Sequence, residues 1–221
     1  MSTVVDQVAC IDLEGVLMPE IWPFLARQTG IEAFRETTRE VSNYPALMSK
    51  RIAALRKHGL KLKVVQAIVA GLDPFPESAG FLKVMSQHYS IRIVSDCFYE
   101  LANTALHLLG DPIALCHNLV VDVEGFIVSC NFAPRLGKED VVAALLDTGA
   151  KVIAVGDAFN DLAMLKRATR GFLLRPSDQT RAAASSMCIV ERLEEITDML
   201  LISHSGDAVP TLPSGGFEAF P

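Results

Sequence analysis

The sequence predicts an α/β protein: a parallel sheet flanked by helices, with a small all-helical unit inserted after the first strand. Three observations carry this. Short apolar runs, among them Val8-Ala9-Cys10-Ile11 and Val152-Ile153-Ala154-Val155, have the length and continuous hydrophobicity of strands buried on both faces. Helix-period segments alternate with those runs, the pattern of right-handed strand–helix–strand crossovers. From about residue 20 to residue 72, by contrast, only helical patterns occur.

The first strand ends abruptly at Asp12-Leu13-Glu14-Gly15, and Pro19 then suits a helix start. Helical patterns follow over 20–29, 31–38, 45–58 and 61–70, punctuated by Gly30, Pro45 and Gly59. Pro74-Phe75-Pro76 closes this segment. Residues 77–88 read as a helix, and 91–94 as a strand running into Ser95-Asp96. A helix over 98–109 stops at Gly110-Asp111-Pro112, and 113–116 reads as a third parallel strand. Leu119 to Val128 has the pattern of a hairpin turning at Glu124-Gly125. Lys138 opens a helix through Asp147, and a strand over 151–155 stops at Gly156-Asp157. A helix at 160–168, a strand at 171–174, a helix at 178–186, a strand at 187–190 and a helix at 191–201 follow. Residues 1–18 and 75–202 thus form an α/β core and 19–74 a helical insertion. Residues 203–221, rich in Gly, Pro and Ser, read as a flexible tail.

A chain of 221 residues can bury a substantial core and allows one domain plus an insertion. With half its residues apolar and 21% charged, it has the composition of a soluble globular protein. The net charge of −6, without a basic run or a cluster of stacking aromatics, argues against a nucleic-acid partner. No apolar run is long enough to span a bilayer and no signal-peptide pattern opens the chain, so neither a membrane partner nor export is expected. Five scattered cysteines, odd in number and never spaced C-x-x-C, suit free thiols in a reducing, cytoplasmic setting. The five histidines show no metal-ligand spacing.

In an open parallel sheet, ligands bind beyond the carboxyl ends of the strands. The polar residues that fall there are Asp12, Glu14, Ser95, Asp157, Asn160 and Asp161, with Lys138 near a helix start. Two positions apart on an extended chain, Asp12 and Glu14 can face one site, and Gly15 lets main-chain amides approach an anion. Asp12 and Asp157 together make a hard oxygen site suited to Mg2+. Singly, each residue has a duller reading: Ser95 or Asn160 as an N-cap, Lys138 as a surface lysine, Asp157 as a turn acid. Their joint occurrence, each at a strand or helix end, is what points to chemistry.

This ordered set resembles the haloacid dehalogenase superfamily of phosphotransferases. The four motifs are matched by Asp12-Leu13-Glu14-Gly15-Val16, by Ser95, by Lys138 and by Gly156-Asp157-Ala158-Phe159-Asn160-Asp161. The likeness spans residues 5–200 and implies a Rossmann-like core, with the helical insertion as the family's small cap. It further implies that Asp12 attacks phosphorus and becomes an aspartyl phosphate, with Glu14 as the general acid and base. Mg2+ would sit on Asp12, Asp157 and the main-chain carbonyl of Glu14. Ser95, Asp96, Lys138 and Asn160 would surround the phosphate, and Asp161 would hold Lys138, or water at the metal, from behind. One departure stands out. Most phosphatases of this superfamily carry aspartate at the place of Glu14, and often threonine at the place of Val16. Glutamate keeps the acid–base chemistry but reaches one methylene further, which suits an altered acceptor choice.

Pro19-Glu20-Ile21-Trp22, Arg51, and Ser95-Asp96 followed by Phe98-Tyr99-Glu100 narrow the likeness. They resemble the bifunctional phosphoserine phosphatase / phosphoserine:homoserine phosphotransferase type. That implies L-phosphoserine as donor and water or homoserine as acceptor. A phosphoserine site needs an anion for the ammonium and a cation for the carboxylate, and Glu20 and Arg51 are the candidates. Trp22 and Met48 read as core of the insertion rather than substrate contacts, and Cys97 as a small structural residue. Homodimerisation stays open. Other readings also stay open at this point: a phosphatase for another small ester, and a non-catalytic phosphate-binding protein of the same fold. A signalling receiver domain fits poorly, because its second acid cluster would precede the lysine rather than follow it.

Overall fold

The computed structural model describes residues 6–36, 43–133, 137–184 and 186–205. Seven strands form one sheet in the order β4-β3-β2-β1-β5-β6-β7. They are β1 (Gln7–Ile11), β2 (Ser90–Phe98), β3 (Ile113–Val121), β4 (Ile127–Asn131), β5 (Lys151–Gly156), β6 (Arg170–Leu174) and β7 (Cys188–Val190). All neighbours pair in parallel except β4, which turns back on β3. The alternation of side chains along the central strands sorts the core. Ala9 and Ile11 of β1, with Ile153 and Val155 of β5, enter one apolar cluster, while Val8, Cys10, Val152 and Ala154 enter a second. A strand buried on both faces must be apolar throughout, and the helices on each side supply the cover.

Three α-helices, α1 (Ile21–Thr29), α2 (Tyr44–Lys57) and α3 (Leu62–Val69), with a 3-10 turn at Glu32–Phe34, follow β1. Gly30, in the left-handed conformation at φ 71°, ends α1 by returning its amide to the Ala26 carbonyl. Asn43 caps α2 by accepting the Ala46 amide at 3.0 Å, and Pro45 sits where a helix has no use for an N–H. Leu25, Phe34, Met48, Leu55 and Val65 of this segment lie in the same apolar cluster as Ile11 and Ile93 of the sheet.

The remaining helices are α4 (Ser78–Met85), α5 (Tyr99–Leu108), α6 (Lys138–Asp147), α7 (Leu162–Arg167), α8 (Asp178–Ala183) and α9 (Leu193–Ser205). Three details differ from the sequence reading. The third parallel strand and the first arm of the hairpin are one strand, β3, whose inner half pairs with β2 and outer half with β4. The helix expected over 31–38 is a 3-10 turn, with 37 and 38 outside the described residues. The last helix runs on to Ser205, so 203–205 are helical, while the expected tail from 206 lies outside the described residues. The hairpin turns where expected: Asp122 Oδ1 accepts the amides of Glu124 and Phe126.

Candidate active site

The three strands at the middle of the sheet, β2, β1 and β5, bring Ser95, Asp12 and Asp157 to one edge. Asp12 leaves β1 with its amide still bonded to the Val155 carbonyl at 2.9 Å, so the neighbouring strand fixes its place. Its Oδ1 accepts the Leu13 amide at 2.8 Å and meets Lys138 Nζ at 2.9 Å. Lys138, the first residue of α6, is buried, and its Nζ donates to Asp161 Oδ1 at 2.7 Å. Asp161 Oδ2 accepts the amides of Asp157 and Ala158 at 3.0 and 3.1 Å, so this carboxylate is fully engaged behind the lysine. Two glycines permit the crowding. A Cβ on Gly156 would lie 2.5 Å from Asp161 Cβ, and one on Gly15, at φ +79°, would lie 2.3 Å from Asp157 Oδ2.

Carboxylate oxygens of Asp12, Asp157 and Asp161 lie within 4.8 Å of one another. Burial, with the neighbouring Asp161 and Asp157 charges, pushes the Asp12 carboxyl well up against the opposing pull of Lys138. Burial and Asp161 likewise push Asp157 up to about 7. Although burial works against its charge, Lys138 is held well above its ordinary value by Asp12 and Asp161. One ammonium therefore serves several buried acids. The all-carboxylate donor set is that of a hard divalent cation, and with Asp161 consumed by Lys138, Asp12 and Asp157 are the residues placed to hold one.

Above these acids lies a pocket of about 130 Å³ whose wall includes Glu14, Glu20, Trp22 and Arg51. Glu14 Oε1 accepts the amide of Ile21, the first residue of α1, at 2.7 Å. Burial lifts its carboxyl to about 7 against that hydrogen bond. Glu20 is exposed at the mouth, at the N-cap position of α1. Arg51 comes from α2 and is buried, its guanidinium 4.5 Å over the Trp22 ring. Its Nη2 donates to the Glu36 carbonyl at 2.9 Å and its Nη1 to Met48 Sδ at 3.6 Å, while its buried Nε has no partner. Met48 and Trp22 are core, as expected, and Trp22 is pocket wall as well.

Ser95 is buried where the β2–β3 register slips between Val94 and Phe98, and its Oγ accepts the Cys97 amide at 3.4 Å. Asp96 lines the pocket, its Oδ2 3.9 Å from Lys138 Nζ. Oδ2 accepts Nδ2 of Asn160 at 3.0 Å, and Oδ1 faces His117 Nε2 at 3.6 Å. An anionic ligand is suited only by its main chain. The structure thus gathers all the sequence-derived residues around one pocket, with Asp161 beneath it. Sequence reasoning missed two more. Tyr44 donates its O–H to the Asp96 carbonyl at 2.6 Å, and His117 stands behind Asp96. No spacing rule flags either; the available signal is a histidine between the apolar runs 113–116 and 119–121.

A central-strand carboxylate paired with a buried lysine thus stands at the carboxyl edge of a Rossmann-like sheet. The chain belongs to the haloacid dehalogenase-like hydrolases, whose family model matches residues 7–169. It is 39% identical over 172 residues to phosphoserine phosphatase of Pseudomonas syringae pv. tomato, covering 78% of this chain and 73% of that one. It is also 39% identical over 167 residues to phosphoserine phosphatase ThrH of Pseudomonas aeruginosa, covering 76% and 82%. Among solved structures, a phospho-aspartyl intermediate analogue of phosphoserine phosphatase shares the fold with a TM-score of 0.72 at 21% identity, covering 88% of this chain and 99% of that one. No described helix is long and apolar enough to cross a membrane.

Proposed function

We propose that this chain is a Mg2+-dependent phosphoserine phosphatase that works through an aspartyl phosphate on Asp12 and hands the phosphoryl group to homoserine as well as to water. The observation that carries the reading is Arg51, a buried cation with an unmet Nε in the wall of the pocket that holds Asp12. Arg51 would take the substrate carboxylate and Glu20 its ammonium. Two relatives at 39% identity named phosphoserine phosphatase support it. The helical insertion, residues 19–74, would close the pocket as a cap, and the setting would be cytoplasmic.

The contacts to the Asp12 carboxylate fall on Oδ1, which reserves Oδ2 for attack on phosphorus. As the Oδ2–P bond forms, the ester P–O bond breaks and the leaving alkoxide takes a proton from Glu14. Water or the homoserine hydroxyl then attacks the aspartyl phosphate and gives its proton back to Glu14, which regenerates Asp12. Lys138 and Ser95 hold phosphate oxygens throughout, with the main chain of Asp96 and the amide of Asn160. Asp12, Asp157 and the Glu14 carbonyl would hold Mg2+, which supplies charge neutralisation on the transferring group. The test is phosphate release from L-phosphoserine with Mg2+, with and without homoserine. Release partly diverted to phosphohomoserine is expected. Hydrolysis indifferent to homoserine overturns the transferase half, and turnover of other phosphate esters without phosphoserine overturns the substrate.

A further inference from the structure

Asp96 is a carboxylate at the edge of the phosphate site, its Oδ2 3.9 Å from Lys138 Nζ, and its other neighbours define a task for it. His117 is buried in β3, and its Nδ1 accepts the main-chain amide of Ala133 at 2.8 Å. A nitrogen that accepts carries no hydrogen, which places the ring hydrogen on Nε2, facing Asp96 Oδ1 at 3.6 Å. Phe132 lies edge-on to the imidazole at 5.1 Å, Phe98 at 5.8 Å and Tyr44 at 6.1 Å, so aromatic rings surround it. The Tyr44 hydroxyl pins the Asp96 carbonyl at 2.6 Å. Held at both main chain and side chain, Asp96 uses Oδ2 to accept one hydrogen of the Asn160 amide at 3.0 Å.

We infer that His117 and Asp96 are a positioning pair for phosphoryl transfer: they orient Asn160 so that the second hydrogen of its side-chain amide points at the transferring phosphate. The inference rests on the phosphatase reading above. Asn160 is exposed at the pocket mouth, where an amide without a partner would sample several orientations. Donating one hydrogen to a fixed carboxylate sets the plane of the amide and therefore the direction of the other. Asp96 turns one oxygen to each neighbour, Oδ2 accepting from Asn160 Nδ2 at 3.0 Å and Oδ1 facing His117 Nε2 at 3.6 Å. His117 never touches substrate; it acts through Asp96 and Asn160.

The experiment is a double-mutant cycle on the full chain with Mg2+, read with both p-nitrophenyl phosphate and L-phosphoserine. His117→Phe is expected to lower kcat about ten-fold or more with KM little changed. His117→Gln, which restores an N–H donor toward Asp96, recovers most of the loss. Once Asn160→Ala is in place, His117→Phe costs nothing further, because the two act in series. Full kcat in His117→Phe, or losses that simply multiply, overturn the inference. Nitrogen-15 NMR of the imidazole supplies a readout that no folding defect in a variant can obscure. The wild-type ring is expected protonated at Nε2, with that signal displaced in Asp96→Asn; a hydrogen on Nδ1 overturns the pair. A wild-type enzyme that turns over p-nitrophenyl phosphate but not phosphoserine sinks the substrate reading and leaves the cycle readable.

Discussion

The Glu14 carboxylate caps the first helix of the insertion, Oε1 accepting the Ile21 amide at 2.7 Å. The extra methylene that sets Glu14 apart from aspartate is what spans from the β1 loop to α1. Glu14→Asp should keep an acid but lose this bond, with a stability loss of about 1 kcal/mol and a fall in kcat. Glu14→Gln should keep the bond and the stability, yet lower kcat by roughly 10²–10⁴, since an amide has no proton to give. Urea titration beside steady-state kinetics separates the two.

Gly15 faces Asp157 so closely that Gly15→Ala must displace that carboxylate. The alanine also takes on roughly 1–2 kcal/mol of left-handed backbone strain. Calorimetric titration should show Mg2+ affinity reduced about ten-fold or more, and Asp157→Asn should do the same without the strain. A chelator should abolish turnover and added Mg2+ restore it.

Lys138 is a buried ammonium between Asp12 and Asp161. Lys138→Met leaves both acids without their cation and should cost about 3–5 kcal/mol in metal-free protein by denaturant unfolding, together with all measurable turnover. An unchanged midpoint would show that the acids simply take up protons.

Arg51 offers a planar fork stacked on Trp22, which lysine cannot copy. Arg51→Lys should raise KM for L-phosphoserine about ten- to a hundred-fold, the worth of a charge-assisted hydrogen bond of roughly 1.5–3 kcal/mol. The kcat on p-nitrophenyl phosphate should hold. Equal losses on both substrates would place Arg51 in the fold rather than in recognition.

Asp12, Asp157 and Lys138 were legible in the sequence because strand ends and helix starts are marked locally, and a parallel sheet gathers strand ends at one edge. The fold class followed from the same alternation. Tyr44 and His117 were not legible, because each acts on Asp96 from another element and only packing brings them together. For Asp96, the motif gave the position but not the direction of the side chain. β3 reads as two strands because its halves have different partners, parallel then antiparallel, and a strand read alone carries no record of what lies beside it.

The apolar cluster that runs from Ile11 and Ile93 of the sheet into Leu25, Phe34, Leu55 and Val65 makes the insertion a poor candidate for exchange. A replacement insertion would have to match the surfaces on which α2 and α3 pack, β4 and α5. Deleting residues 21–69 would expose the part of the cluster that the insertion covers, while α4, α5 and α9 would still cover the rest. A change at Glu20, exposed on the pocket wall, therefore disturbs the packing less than exchange of the whole insertion would.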